Sequence, residues 1–153
     1  MVYERKDIDK KYKWDLSVIY ADEAAFNADY ALAEKKIKAF RAHEKTITKS
    51  AEDLYAALSD MVVVESIIYK LWQYASLSFA VDTADNHAQA LSTRARSLAI
   101  SAGEASWFVS PYILKLDREV VDKWFAECPK LETFRRMIYK IMLDKEHTLR
   151  MPE

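Results

Sequence analysis

The sequence is poor in the residues that form tight turns and crosslinks. Its 153 residues include one glycine, three prolines and one cysteine. Sheets and long loops need glycine and proline at their turns, so an all-β or doubly wound α/β fold is disfavoured. A glycine-rich phosphate-binding loop is excluded because Gly103 is the only glycine. These absences predict an all-α fold that forms one folded unit.

The sequence also lacks an excess of charge of one sign. Lys plus Arg number 23 and Asp plus Glu number 24, whereas surfaces that bind nucleic acid carry a basic excess. The most apolar window, residues 61–81, contains Glu65 and Lys70, which favours a buried helix over a membrane span. No secretory stretch opens the chain, and Cys128 has no partner for an internal disulfide. We therefore expect a cytoplasmic protein that binds neither nucleic acid nor membranes.

Apolar residues recur at the spacing of amphipathic helices. Two long seams with alternating steps of four and three residues predict helices that pack as those of coiled coils do: Phe26, Tyr30, Ala33, Ile37 and Phe40, and then Leu91, Ala95, Leu98, Ala102, Ala105 and Val109. The pattern predicts about six or seven helices, with long antiparallel ones forming an elongated bundle. We expect an N-terminal arm docked on the body (1–20), a long-helix bundle (21–110) and a set of short helices (111–153).

Local signals predict where several helices begin and end. Ser50 is expected to cap one helix, and Ser59-Asp60 looks like a second start. Pro111 is expected to end or kink the helix that contains Gly103, and a closely packed neighbour would explain that glycine. Tyr69, Trp72 and Tyr74 could form an aromatic cluster, but their helical spacing favours positions in the core.

The motifs of common catalytic sites are incomplete in this sequence. A zinc-binding His-Glu-x-x-His helix needs two imidazoles one turn apart, but Ile47 stands where the partner of His43 should be. His147 follows an acid by three residues, yet no second copy of that di-iron pattern exists. Cys128 lacks a nearby histidine that would activate its thiol. We therefore predict no catalytic, cofactor-binding or metal-binding residue in this chain.

Four segments, in order along the chain, resemble the oligoendopeptidase F family. The most specific is Trp14-Asp15-Leu16-Ser17 followed by Tyr20. The other similar stretches are residues 74–83, 131–136 and 147–149. The resemblance extends over essentially the whole chain.

This resemblance implies an almost wholly helical zinc metallopeptidase that hydrolyses short oligopeptides inside the cell. In that family the zinc ligands lie far downstream, so the chain would be the N-terminal, non-catalytic region that helps to wall the substrate channel. Zinc would belong to the parent enzyme, and the partners would be the remainder of the parent chain and short peptides. The aromatic side chains of the similar segments are expected to pack the N-terminal arm against the helices: Trp14, Tyr20, Tyr74 and Phe79.

Two other functions remain open from the sequence. The long apolar seams would also suit a free-standing helical interaction module, which could form a homo-oligomer. A bundle that carries a cofactor is the third hypothesis.

Overall fold

The computed structural model describes residues 8–143 and is all-α in that range, as the composition predicts. The number of α-helices in this part of the chain agrees with the predicted six or seven. They are α1 (Glu23–Phe40), α2 (Ala51–Val81), α3 (Asn86–Ala105), α4 (Val109–Leu114), α5 (Arg118–Glu127) and α6 (Arg135–Leu143). Short 3-10 helices precede α1, α2 and α6.

Helix α1 forms where the apolar seam predicts it. The carboxylate of Asp22 caps its first turn by accepting a hydrogen bond of 2.8 Å from the backbone N–H of Ala25. The seam residues Phe26, Ala33, Ile37 and Phe40 are all buried. Burial of this apolar stripe stabilises the helix far more than its intrinsic propensity does.

Helix α2 begins at the predicted cap but runs on through the predicted second start. The hydroxyl of Ser50 accepts a hydrogen bond of 3.1 Å from the backbone N–H of Asp53. The helix then continues unbroken for 31 residues, so the expected start at Ser59-Asp60 is wrong. The apolar seam crosses this point without interruption, and Asp60 lies on the surface, where its carboxylate pairs with His43. A capping residue therefore does not break a helix whose buried stripe continues.

Helix α3 ends earlier than expected. It stops at Ala105, and Pro111 instead lies in the first turn of α4, where its missing N–H leaves no hydrogen bond unmade. A Cβ atom added at Gly103 would meet no neighbouring atom within 4 Å. Close packing is therefore not the reason for this glycine, and that expectation is wrong.

The chain divides into two compact units. Among the described residues, the first contains 8–36 together with Val64–Ala102, and the second contains Ile37–Val63 together with 103–143. The core of the first unit includes Tyr20, Phe26, Leu71, Ala75 and Leu91, and that of the second includes Leu54, Leu58, Phe108, Ile113, Val121, Leu131 and Ile138. The predicted division at residues 20 and 110 remains a proposal.

Candidate functional site

The motif residue Tyr20 lies at the centre of an aromatic cluster in the first unit. Its ring is 3% exposed and makes edge-on contacts with Phe26 and Tyr74, at centroid distances of 5.6 and 5.3 Å. Phe26 and Tyr74 are in turn 5.6 Å apart, and Tyr30 stacks on Phe26 at 6.3 Å. We call Tyr20, Phe26, Tyr30 and Tyr74 the aromatic cluster. Edge-on and offset rings of this kind add to the stability that their burial provides.

The polar end of Tyr20 binds a charged pair. Its hydroxyl donates a hydrogen bond of 2.8 Å to Oδ2 of Asp29, and Nζ of Lys70 donates one of 3.1 Å to the same oxygen. The ammonium of Lys70 also lies 4.1 Å from the centroid of the Tyr20 ring. One tyrosine from before α1 is thereby fixed to α1 and α2 at once.

Burial and hydrogen bonding shift the pKa values of the Tyr20 phenol and the Asp29 carboxyl. Burial, followed by the hydrogen bond to Asp29, raises the pKa of the Tyr20 phenol well above its ordinary value. The hydrogen bond from Tyr20 lowers the pKa of the Asp29 carboxyl against an opposing effect of burial, and Lys70 lowers it further. The phenol stays protonated and the carboxylate stays charged at neutral pH. The pair therefore holds structure and does not suit proton transfer near pH 7.

Arg94 connects α3 to the aromatic cluster. Its guanidinium lies 4.5 Å from the centroid of Tyr30 and 5.5 Å from that of Phe26. One of its nitrogens, Nη2, donates a hydrogen bond of 2.9 Å to the side-chain oxygen of Asn27. Contacts between a guanidinium and aromatic faces are favourable electrostatically. Each helix segment of the first unit thus has a polar connection to the aromatic cluster.

The four motif aromatics do not all meet. Tyr20 and Tyr74 are in contact, whereas Trp14 is 63% exposed and Phe79 is half-buried elsewhere in the unit. Trp14 lines a shallow cavity of about 210 Å³ together with Tyr12, Ala80 and Val81. Phe79 lines another of about 110 Å³ with polar residues of α3, namely Gln89, Ser92, Thr93 and Arg96. Both cavities are smaller than typical sites for small-molecule ligands.

Each described histidine pairs with one carboxylate. Nε2 of His43 is 2.8 Å from Oδ2 of Asp60 in the second unit. Nε2 of His87 is 3.5 Å from Oε2 of Glu23 in the first. Within residues 8–143, no three side chains of His, Cys, Asp or Glu come together as metal ligands would. His147 lies outside the described residues.

A charged cluster in the second unit was not foreseen from the sequence. The guanidinium of Arg118 lies 3.6 Å from the centroid of the Tyr139 ring, and Nη1 of Arg135 donates a hydrogen bond of 2.7 Å to the Tyr139 hydroxyl. That hydroxyl donates to Asp122, and Arg135 also pairs with Glu132. The spacing of four residues in Arg118–Asp122 and Arg135–Tyr139 was the available signal. It could not reveal that α5 and α6 share one network.

The same contacts hold two carboxylates in their charged form. The hydrogen bond from Tyr139, with help from Arg118 and Arg135, lowers the pKa of Asp122. The hydrogen bond from Arg135 lowers the pKa of Glu132. All the acidic members of this cluster are therefore partnered by cations or by a phenol. The cluster connects α5 with α6.

Cys128 is a free cysteine that is buried at the end of α5. No helix among the described residues is both long and apolar enough to cross a membrane.

Comparisons with known proteins point to one group of peptidases. No family model matches the chain. It is 28% identical, over its whole length, to a protein named oligoendopeptidase F (plasmid form) of Lactococcus lactis subsp. cremoris, of which it covers 26%. The related chromosomal protein of the same organism is 27% identical over 97% of this chain and 25% of its own length. The chain thus spans about a quarter of the curated relatives that it matches.

Two solved structures also match most of this chain but only about a quarter of their own length. The crystal structure of oligoendopeptidase-F from Enterococcus faecium matches 84% of this chain and 25% of its own chain, with a TM-score of 0.74 and 31% identity. A crystal structure from Chlamydophila abortus matches 98% of this chain with a TM-score of 0.81, and at 22% identity it supports the fold alone. These comparisons confirm the resemblance that the sequence predicts.

Proposed function

We propose that this chain, which corresponds to the N-terminal region of oligoendopeptidase F-like peptidases, is the non-catalytic helical segment of a zinc metallopeptidase that hydrolyses short oligopeptides. The observation that carries the proposal is that similarity to these peptidases extends over the full chain but only about a quarter of their length. The chemistry would then be performed by the part of the longer protein outside the matched quarter. We further propose that this segment forms part of the wall of the substrate channel.

The side chains that could act as metal ligands in the described residues support the proposal that the chemistry belongs to the rest of the longer protein. A hydrolytic zinc site takes three protein ligands, and the metal activates water and polarises the scissile carbonyl. His43 and His87 each have one carboxylate neighbour and belong to different compact units. Neither pair fits the donor set of such a site. We therefore assign the zinc ligands of the parent enzyme to the remainder of its chain.

Side-chain contacts in the first unit support a role as a channel wall. A wall that selects peptides by size must keep its shape when a peptide passes, so its side chains need fixed partners. The aromatic cluster is fixed by Asp29, Lys70 and Arg94, which connect it to segments of three helices. The shallow cavities beside Trp14 and Phe79 offer places where a peptide side chain could contact this wall.

We also propose a cytoplasmic location. Support comes from the single cysteine, which is a free and buried thiol and is compatible with a reducing compartment.

A second candidate function is a free-standing helical interaction module. The observation in its favour is the exposure of two large rings on α2, Tyr69 and Trp72. Such a module would bind a partner or a second copy of itself. Light scattering over a range of concentrations would support it if the chain self-associates, and a strict monomer would count against a homo-oligomer.

The peptidase proposal can be tested in the longer protein. The reading frame after Glu153 should continue and reach a His-Glu-x-x-His helix, and its product should hydrolyse quenched short peptides in a zinc-dependent manner. Substituting His43→Gln and His87→Gln should leave that hydrolysis unchanged, because neither residue is assigned to the zinc site. An immediate stop codon, or loss of hydrolysis and zinc in these two variants, would refute the proposal.

A further inference from the structure

Two aromatic side chains on the outer face of α2 in the first unit are exposed in the described range 8–143. Tyr69 is 64% exposed and Trp72 is 46% exposed, although the helical spacing predicts core positions for both. Neither side chain makes a ring contact or a hydrogen bond with another residue of that range. We call Tyr69 and Trp72 the exposed aromatic pair. Their three-residue spacing places them on one side of the helix, about one turn apart.

The buried side of α2 in this unit is already complete. Val64, Ile68, Leu71 and Ala75 face the core, and Leu71 and Ala75 are fully buried. A small rotation of the helix to bury the pair would therefore expose this stripe. Large aromatic rings on a face that is not needed for the core are typical of interfaces, where tyrosine and tryptophan are enriched.

The area of the exposed aromatic pair argues for a covalently connected partner. The two rings leave on the order of 200–250 Å² in solvent. A stable complex between separate proteins buries roughly 800 Å² on each partner, so the pair supplies only about a third of the area that a second copy would need. A segment of the same polypeptide avoids most of the entropy cost of association and can dock on a smaller patch.

We propose that the exposed aromatic pair is the surface on which the downstream part of the parent peptidase docks. This inference rests on the proposed function, since about three quarters of the length of the relatives lies outside the match. The aromatic cluster and its polar partners hold α2 from the opposite side. Docking would thereby connect the catalytic part of the molecule to a fixed helix.

Thiol labelling can test this docking directly. Tyr69→Cys is introduced into the 153-residue chain and into the longer protein, and the rate of alkylation at residue 69 is followed by mass spectrometry of peptides. Lys35→Cys, at an exposed position of α1 in the same unit, is the matched control. We expect labelling at residue 69 to be slower by a factor of about ten or more in the longer protein, which corresponds to a docked fraction of about nine in ten. Labelling at residue 35 should be equal in the two proteins.

Equal labelling at residue 69 in both proteins would overturn the proposal. So would protection in the 153-residue chain that increases with its concentration, because that result would indicate a second copy as the partner. Trp72→Cys provides an independent variant if the first does not fold, as judged by circular dichroism.

The outcome can be separated from that of the proposed function. A longer protein that hydrolyses peptides but labels freely at residue 69 refutes the docking alone. Protection at residue 69 without zinc-dependent hydrolysis supports the docking and refutes the peptidase assignment.

Discussion

The side chain of Tyr20 combines a buried ring with a hydroxyl that reaches a carboxylate. The sequence indicates the first feature, because a tyrosine in the Trp-Asp-Leu-Ser motif segment is expected to pack against helices. It does not indicate the second, since Asp29 and Lys70 look like ordinary surface charges and are 41 residues apart. Partners of this kind become visible only when the fold brings separate segments together.

Removal of the Tyr20 hydroxyl should destabilise the first unit. Tyr20→Phe keeps the ring contacts but leaves the Asp29 carboxylate without its phenol donor. Because the lost hydrogen bond joins a buried donor to a charged acceptor, we expect the free energy of unfolding to fall by about 1–2 kcal/mol. Urea denaturation followed by circular dichroism measures the change. Tyr12→Phe, at an exposed ring, is the control and should have no measurable effect; equal stability of the Tyr20 variant would contradict the account.

The Asp29 carboxyl should make stability sensitive to acid. Its pKa is lower in the folded state than in the unfolded chain, so its contribution is fully present above the unfolded pKa of about 3.9. The contribution is lost as the pH falls through the lower, folded pKa. As the pH falls below about 4, the melting temperature of the wild type should therefore fall more steeply than that of Asp29→Asn. Parallel curves for the two proteins would show that the carboxylate is not stabilised by folding.

At the scale of the element, Gly103 weakens the last turn of α3 without a packing benefit. Space around its Cα is open, and its backbone does not adopt a positive φ. Gly103→Ala should therefore stabilise the chain, by about 0.5–1 kcal/mol, because alanine loses less backbone entropy in a helix. Thermal and urea unfolding would check the gain. A loss of stability would mean that the glycine serves a contact that this structure does not contain.

Helix positions follow from the sequence better than helix ends do. Most residues of the predicted seams of α1 and α3 are buried, although Tyr30 and Ala102 are half-buried, and the Ser50 cap is formed. The error at Ser59-Asp60 arises because local capping rules ignore the tertiary burial that decides whether a helix continues. At Pro111 the prediction fails because α3 has already ended at Ala105. In α2 that burial carries the helix past two polar residues.

The outer face of α2 shows a different limit of sequence reasoning. The spacing of Tyr69 and Trp72 is helical, and a helical aromatic is more often buried than not. Periodicity gives the position of a residue around its helix but not whether another part of the molecule covers that side. Both rings are exposed in the described chain, and that exposure carries the docking proposal.

For the whole molecule, the fold and the resemblance were accessible from the sequence, whereas the proposed site of catalysis was not. Scarce turn residues indicate the all-α class, and four ordered segments indicate the group of peptidases that the comparisons also find. The chain spans about a quarter of those relatives. The proposed chemistry therefore depends on residues outside this sequence, which no inspection of these 153 residues can locate.

The zinc content of the two proteins tests this division of roles most directly. Both are purified, dialysed against metal-free buffer and measured by elemental mass spectrometry. The account predicts about one zinc ion per chain in the longer protein, held by residues downstream of Glu153, and none retained by the 153-residue chain. A stoichiometric zinc ion held by the 153-residue chain, and lost on substitution of His43, His87 or His147, would contradict it.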